Sequence, residues 1–186
     1  MTIVLSVPGT GSVAALRLRP WRLNDLPALI AAHRDPVLRR WLSTSLADED
    51  EARQWLDLQA NGWAAATRFS FAVVPTDADD RAPFGHVVVR VGSAATAEVG
   101  YWTAAHARGQ GVATRALETV SLWALQAQDI LPLTRLDLLH ADGNQASCRV
   151  AVKCGFPLHD LLPAAPPAYP TSGHRHVRTA VLREPT

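Results

Sequence analysis

The sequence predicts an α/β fold of the α+β kind, a sandwich in which helices flank a mixed, mainly antiparallel sheet of six to seven strands. Three observations lead there. Strand-like segments at residues 69–74, 85–91 and 97–103 follow one another, joined by turn-rich stretches, which implies antiparallel neighbours. Helix-like segments then alternate with strand-like ones, so the later connections are crossovers. No internal repeat, low-complexity tract or linker divides the chain.

The elements follow in order. Residues 1–14, with Pro8, Gly9, Gly11 and Ser12, read as a loose leader, and residues 15–186 as one domain. Alternation of apolar and charged side chains over residues 15–19 predicts a first strand. Asn24 is placed to cap a helix over residues 25 to about 33, with Leu26, Leu29, Ile30 and His33 at helical spacing. Asp35-Pro36 restarts a short helix, with Val37, Leu38 and Trp41 as its face. Asp48 and Glu51 resemble a capping box for a helix to about residue 60, ended by Gly62. The three strands come next, the third carrying Gly100 in its interior, where glycine often marks a bulge or a close backbone approach. A long helix over residues 112 to about 128 has Ala113, Leu117, Val120 and Ala124 as its buried stripe. A strand over residues 134–140, a helix from Asn144 to Gly155, an extended stretch to residue 162, a Pro-rich loop over 163–173 and a closing strand over 176–182 complete the chain.

Composition limits the function classes. The 186 residues are 48% hydrophobic with a net charge of +1, enough to build a core without disulfides or metal and too balanced for a broad nucleic-acid or anionic-membrane footprint. Cys148 and Cys154 lie six apart on one predicted helix, on different faces, so they are not expected to pair. No basic region followed by an apolar run opens the chain, and no apolar stretch nears the roughly 20 residues of a membrane span. A reduced, cytoplasmic compartment is expected.

The chemistry concentrates where the third strand gives way to a helix. Arg108-Gly109-Gln110-Gly111-Val112-Ala113 places two glycines and an arginine at a helix start, with Thr114 and Arg115 following. Unpaired amides and the positive end of the helix dipole face that point, and glycines let an anion approach the backbone. Arg108 and Arg115 would add mobile positive charge on either side. A mononucleotide P-loop would need Gly-Lys-Ser/Thr, and Gly111 is followed by Val112-Ala113. A dinucleotide fingerprint would need a third glycine or alanine where Thr114 stands. On the loop alone, an anion site and a tight turn before a helix fit equally well.

The downstream segment Asn144-Gln145-Ala146-Ser147, continuing to Cys154-Gly155-Phe156, shifts the balance. Together with the glycine loop, which matches the pattern Q/R-x-x-G-x-G/A, and the strand Ala97-Glu98-Val99-Gly100-Tyr101-Trp102, it resembles the GNAT superfamily of acyl-CoA N-acyltransferases. The opening Leu18-Arg19-Pro20-Trp21 with Asp25-Leu26 resembles its RimJ/RimL-like branch. The resemblance covers roughly residues 15–183. It implies acetyl-CoA as cosubstrate, its pyrophosphate on residues 108–113, and its pantetheine arm in a V between the strands of Gly100-Tyr101-Trp102 and of Leu136 to Leu139. It implies an oxyanion-binding backbone N–H near Trp102. Glu98 stands at the slot of a general base and Ser147 at that of a proton donor to the leaving thiolate. Asn144 is implied to bond the pantetheine amide. Trp41, after Arg39-Arg40, and Tyr169, in the Pro-rich loop, are implied as opposite walls of the acceptor site. Glu98 also suits a solvated or ion-paired strand position, Ser147 an ordinary first-turn serine, and Asn144 a plain N-cap.

Other residues carry blander readings. His106 and His140 border the site and titrate near neutrality, yet histidines at loop and strand ends are usually surface groups. His174 and His176 have metal-like spacing, but no carboxylate or cysteine stands near them in sequence, so no metal is expected. Cys154, which could suggest an acyl-enzyme, reads as a small packed apolar group, and Trp55 and Trp63, which could line an acceptor pocket, read as core. The sequence thus predicts acetyl transfer to a primary amine, a protein N-terminus or a small molecule, in a ternary complex, by a monomer or homodimer. The alternative is an acyl-CoA sensor without turnover.

Overall fold

A computed structural model describes residues 3–9, 11, 13–77, 82–166 and 170–180. The strands are β1 (Leu5–Val7), β2 (Leu16–Pro20), β3 (Arg68–Pro75), β4 (Gly85–Val91), β5 (Thr96–Thr103), β6 (Arg135–Ala141), β7 (Leu158–Leu162) and β8 (Gly173–Thr179). The helices are α1 (Leu26–Arg34), α2 (Pro36–Arg39), α3 (Glu49–Ala64), α4 (Val112–Leu122) and α5 (Gln145–Lys153). The strands form one sheet in the order β1-β2-β3-β4-β5-β6-β8-β7, antiparallel throughout except for β5 and β6. The architecture is the predicted mixed sheet between helices, with eight strands among the described residues rather than six to seven.

The extra strand comes from the leader. Leu5 to Val7 pair with Leu18 to Leu16, and Val7 is buried. Arg115 of α4 holds the same segment from the other side, donating to the carbonyls of Pro8 and Ala14 at 2.8 and 3.0 Å. Three residues are too few for alternation to show in sequence, so this strand is created by tertiary contacts.

Two cores cover the two faces of the sheet. On one face α4 packs Val112, Ala116, Leu117 and Val120 against Phe69, Phe71, Val87, Val99, Leu136 and Leu138. Of the predicted stripe, Leu117, Val120 and Ala124 are fully buried and Ala113 is half-buried; Val112 and Ala116 complete the buried face. The helix continues into a π-helical turn, Trp123–Ala127, whose Trp123 lies edge-on to Phe69 and Phe71. On the other face α1 and α3 bury Leu26, Leu29, Ala52 and Leu56 with Trp102 and Ala104.

Several local expectations change in detail. Asn24 does not cap α1; a 3-10 turn, Leu23–Asp25, precedes the helix, and Asp25 accepts from the Arg22 amide at 2.8 Å. Asp25 also takes a two-pronged ion pair from Arg19, at 2.7 and 2.8 Å, with both side chains buried. Val37 is exposed and Leu38 alone anchors α2. Asp48 caps α3 as expected, accepting from the Glu51 amide at 2.9 Å, but the Glu51 carboxylate accepts from Ala47 instead. Gly62 lies inside α3 rather than ending it. A Cβ there would stand 2.7 Å from Cβ of Arg68, so the glycine lets the helix cross the start of β3 closely.

Candidate active site

The site is built where β5 and β6 part. Their parallel ladder runs from Thr96↔Arg135 to Val99↔Leu138 and stops. Beyond it β5 stays with β4 as far as Thr103↔Gly85, while β6 stays with β8 as far as Ala141↔Gly173. Each strand follows its outer neighbour, and a V opens between them. The Ala104 amide donates to Phe84, on the β4 side, and the Ala95 carbonyl accepts from Thr134, on the β6 side. Alternation along the strand therefore aims the backbone groups of Tyr101 and Thr103 into the V, where no ladder partner stands. The backbone donor expected near Trp102 is thus narrowed to its two neighbours.

The glycine loop sits at the mouth of this V. After the 3-10 turn Ala105–Ala107, Gly109 and Gly111 adopt φ of 76° and 71°, conformations that disfavour any side chain. Among the described residues, nothing lies within 4 Å of a Cβ built at Gly109, and only Arg115 Cδ, at 3.9 Å, approaches one at Gly111. The first helical bond of α4 runs from the Arg115 amide to the Gly111 carbonyl at 3.0 Å. The amides of Val112, Ala113 and Thr114 thus form a first turn that intrahelical carbonyls do not serve. The Gln110 side chain folds back onto the His106 carbonyl at 3.0 Å, leaving the backbone surface open.

The two arginines differ from expectation. Arg108 is ion-paired with Asp35, the N-cap of α2, and Arg115 is bonded to the two leader carbonyls. Neither is a mobile charge. They brace the loop against α2 and the N-terminal segment, which leaves the anion-binding part to backbone amides. The Asp35 carboxyl is held below its ordinary range: burial opposes this, but the Val37 amide and the Arg108 guanidinium together outweigh it.

Opposite the loop, Asn144 caps α5, its side chain accepting from the Ser147 amide at 3.2 Å. The plain-cap reading therefore accounts for its carbonyl oxygen. Ser147 is buried, and its Oγ lies 2.8 Å from the Tyr101 hydroxyl. This contact joins β5 to α5 and was not legible in sequence, where the two residues are 46 apart. Burial pushes the Tyr101 phenol up to about 12, so it stays protonated. It can donate to Ser147 Oγ, which leaves the serine proton directed elsewhere. Cys154 is buried with its thiol pushed up to about 11, chiefly by burial, and donates to the Thr114 carbonyl at 3.3 Å. It packs α5 on α4, as expected.

On the other face of β5 stand Glu98, Gly100 and Trp102. Glu98 is ion-paired with Arg90, its cross-strand partner. The Arg90 guanidinium lies over Gly100, 3.2 Å from where a Cβ would be. The register of β4 with β5 is regular there, so Gly100 provides space rather than a bulge. Trp102 joins an aromatic group with Trp21, Trp55 and His86. Trp41 is half-buried near the turn before α5, 3.7 Å from a Cβ built on Gly143, with the Arg40 guanidinium 4.7 Å above its ring. Trp63 packs on Phe69 and Phe71 as a core residue. Tyr169 lies outside the described residues.

His86 escaped the sequence reading. Its Nδ1 accepts from the Trp21 indole at 3.0 Å, and burial pushes its imidazole from 6.5 down to about 3. The unfolded chain therefore takes up a proton that the folded chain refuses between those two values, and stability falls with acidification. The expected slope is about 1.4 kcal/mol per pH unit across that window. Thermal melts between about pH 7 and pH 4 should show a falling Tm, and His86→Gln should flatten the slope. His33, also lowered by burial, will leave some slope behind. A parental Tm independent of pH over this range would contradict the assignment.

A strand pair that parts beside an open helix start has the geometry to receive an extended, phosphate-bearing ligand. Residues 15–157 match the profile of the acetyltransferase (GNAT) domain, and the chain belongs to that family. It is accordingly an acyl-CoA N-acetyltransferase. Among solved structures, it is similar to the ribosomal L7/L12 alpha-N-protein acetyltransferase RimL bound to coenzyme A, with TM-score 0.79, 17% identity, and 94% of this chain and 98% of that one covered. RimJ of Mycobacterium smegmatis with CoA-disulfide gives TM-score 0.75 and 20% identity over 96% of this chain and 87% of that one. A Salmonella typhimurium acetyl transferase that modifies the N-terminal serine of L7/L12 gives 0.76 and 17% over 95% and 99%. No curated protein matches significantly. Among the described residues, no helix is long and apolar enough to cross a membrane.

Proposed function

We propose that the protein transfers an acetyl group from acetyl-CoA to a primary amine, a protein N-terminus or a small-molecule amine, by direct attack in a ternary complex. The parting of β5 and β6 next to the open amides of residues 112–114 carries the reading. The pyrophosphate rests on the loop of residues 108–114, where the helix dipole and unpaired amides favour an anion. The pantetheine arm lies in the V and bonds the free backbone of β5. Relatives of this fold crystallised with coenzyme A support the same choice of cosubstrate.

The amine nitrogen attacks the thioester carbonyl carbon, and the carbonyl becomes an oxyanion. A backbone amide of Tyr101 or Thr103 donates to that oxygen, worth most where water is excluded. Glu98 takes the amine proton, directly or through water, from within its ion pair with Arg90. The C–S bond breaks and the thiolate takes its proton from Ser147. Tyr101, protonated and 2.8 Å away, then supplies the serine. Trp41 flanks the entering amine.

The test is release of free CoA thiol from acetyl-CoA with a panel of N-terminal peptides, lysine peptides, amino acids and amine antibiotics. Turnover dependent on one amine class, with the acetylated amine seen by mass spectrometry, is expected. Binding of acetyl-CoA without turnover on any amine would instead make the protein a sensor of acyl-CoA.

A further inference from the structure

Two histidines of β8, one of β6 and the cysteine of α5 converge at a place that acyl transfer does not use. The ligand atoms of His140, Cys148, His174 and His176 all lie within 4.8 Å of one another. The convergence follows from register. His140 pairs with His174 across β6 and β8, and His176, two residues on, faces the same side of the sheet. Cys148, in the first turns of α5, lies above them with Sγ 3.7 Å from His176 Nε2. The cysteine missing from the sequence neighbourhood of the histidines is thus supplied by another element. That overturns the reason for expecting no metal.

We propose that these four residues form a zinc site that fastens α5 to β6 and β8. The donor set is three imidazoles and one thiolate, which suits tetrahedral Zn²⁺, and four protein ligands make a closed, structural site. The outer partners are already in place. His176 Nδ1 donates to the Phe156 carbonyl at 2.9 Å and His140 Nδ1 to the Ala141 carbonyl at 2.9 Å. Each bond fixes the tautomer that leaves Nε2 as a lone pair, the usual support of a metal-bound histidine. Two ring nitrogens, His140 Nε2 and His174 Nδ1, are buried without a hydrogen-bond partner among the described residues, and His176 is fully buried. Buried polar atoms seldom go unpaired, and a cation would satisfy both. Tetrahedral zinc sets ligand atoms roughly 3.3–3.6 Å apart. The Cys148–His176 pair is nearly there already, and a separation at the 4.8 Å limit must close by about 1.2–1.5 Å. On binding, the Cys148 thiol proton leaves to solvent as the sulfur–zinc bond forms. Because Asn144 and Ser147 lie on the same turns as Cys148, the ion would hold the α5 wall of the V in place.

The test uses the full chain without a polyhistidine tag, with zinc and cobalt salts as probes. After exhaustive dialysis, elemental analysis should find one zinc per chain. Cys148→Ser and His174→Gln should each weaken zinc binding by more than the roughly 10–100-fold that loss of an outer partner costs. Cobalt substitution of the parent should give a thiolate-to-cobalt band in the near ultraviolet and the intense visible bands of tetrahedral coordination. The cobalt spectrum needs no variant, so it decides even if a substitution prevents folding. Sub-stoichiometric zinc, or a weak octahedral cobalt spectrum without the thiolate band, would overturn the proposal.

Discussion

Replacing Asp25 with alanine is expected to cost about 3–5 kcal/mol of stability, the usual consequence of stranding one member of a buried ion pair. Arg19 loses both bonds, at 2.7 and 2.8 Å, in a place where its side chain is 3% exposed, and water cannot replace them. The Arg22 amide loses its acceptor as well. Asp25 also closes the turn that directs the chain from β2 into α1, so the loss spreads to the core under α1 and α3. Denaturant unfolding of parent and variant measures it. A difference below about 1 kcal/mol would mean that the pair is solvated and marginal.

Ser147→Ala is expected to lower kcat by about 10²–10⁴ while leaving acetyl-CoA binding nearly unchanged. Its hydroxyl is assigned to the departing thiolate, a group that needs a proton only as the C–S bond breaks. Tyr101→Phe should lower kcat less, because Ser147 keeps its own proton and loses only the donor behind it. If the two act as one relay, the double variant should be no slower than Ser147→Ala alone. A Ser147→Ala enzyme with parental kcat would remove the serine from the mechanism and leave it as a packed residue of the first turn.

What sequence made legible was local. The three successive strands, the glycine loop before α4, the Asp48 cap of α3 and the Asn144 cap of α5 all depend on residues a few positions apart, and all are found. Contacts that depend on register between distant strands were not legible. Arg108 and Asp35 are 73 residues apart and meet only once α2 lies beside the loop. The opposition of His140 to His174 requires knowing that β8 inserts between β6 and β7. Gly62 looked like a helix end because its reason for being glycine, the passage of Arg68, is tertiary. Spacing alone could have suggested one thing more. Histidines at 174 and 176 on a strand share a face, which makes the strand opposite the place to look for further ligands.

The coenzyme's place on the loop is tested most directly by calorimetric titration of acetyl-CoA into the parent and into Gly111→Trp, with folding checked by circular dichroism. Gly111 has φ of 71° and an open surface, so an indole there would cover the amides of the first turn. Saturable one-to-one binding by the parent, weakened more than roughly tenfold in the variant, is expected. A folded parent that gives no binding heat at any temperature tried, or a variant that binds as the parent does, would contradict the assignment.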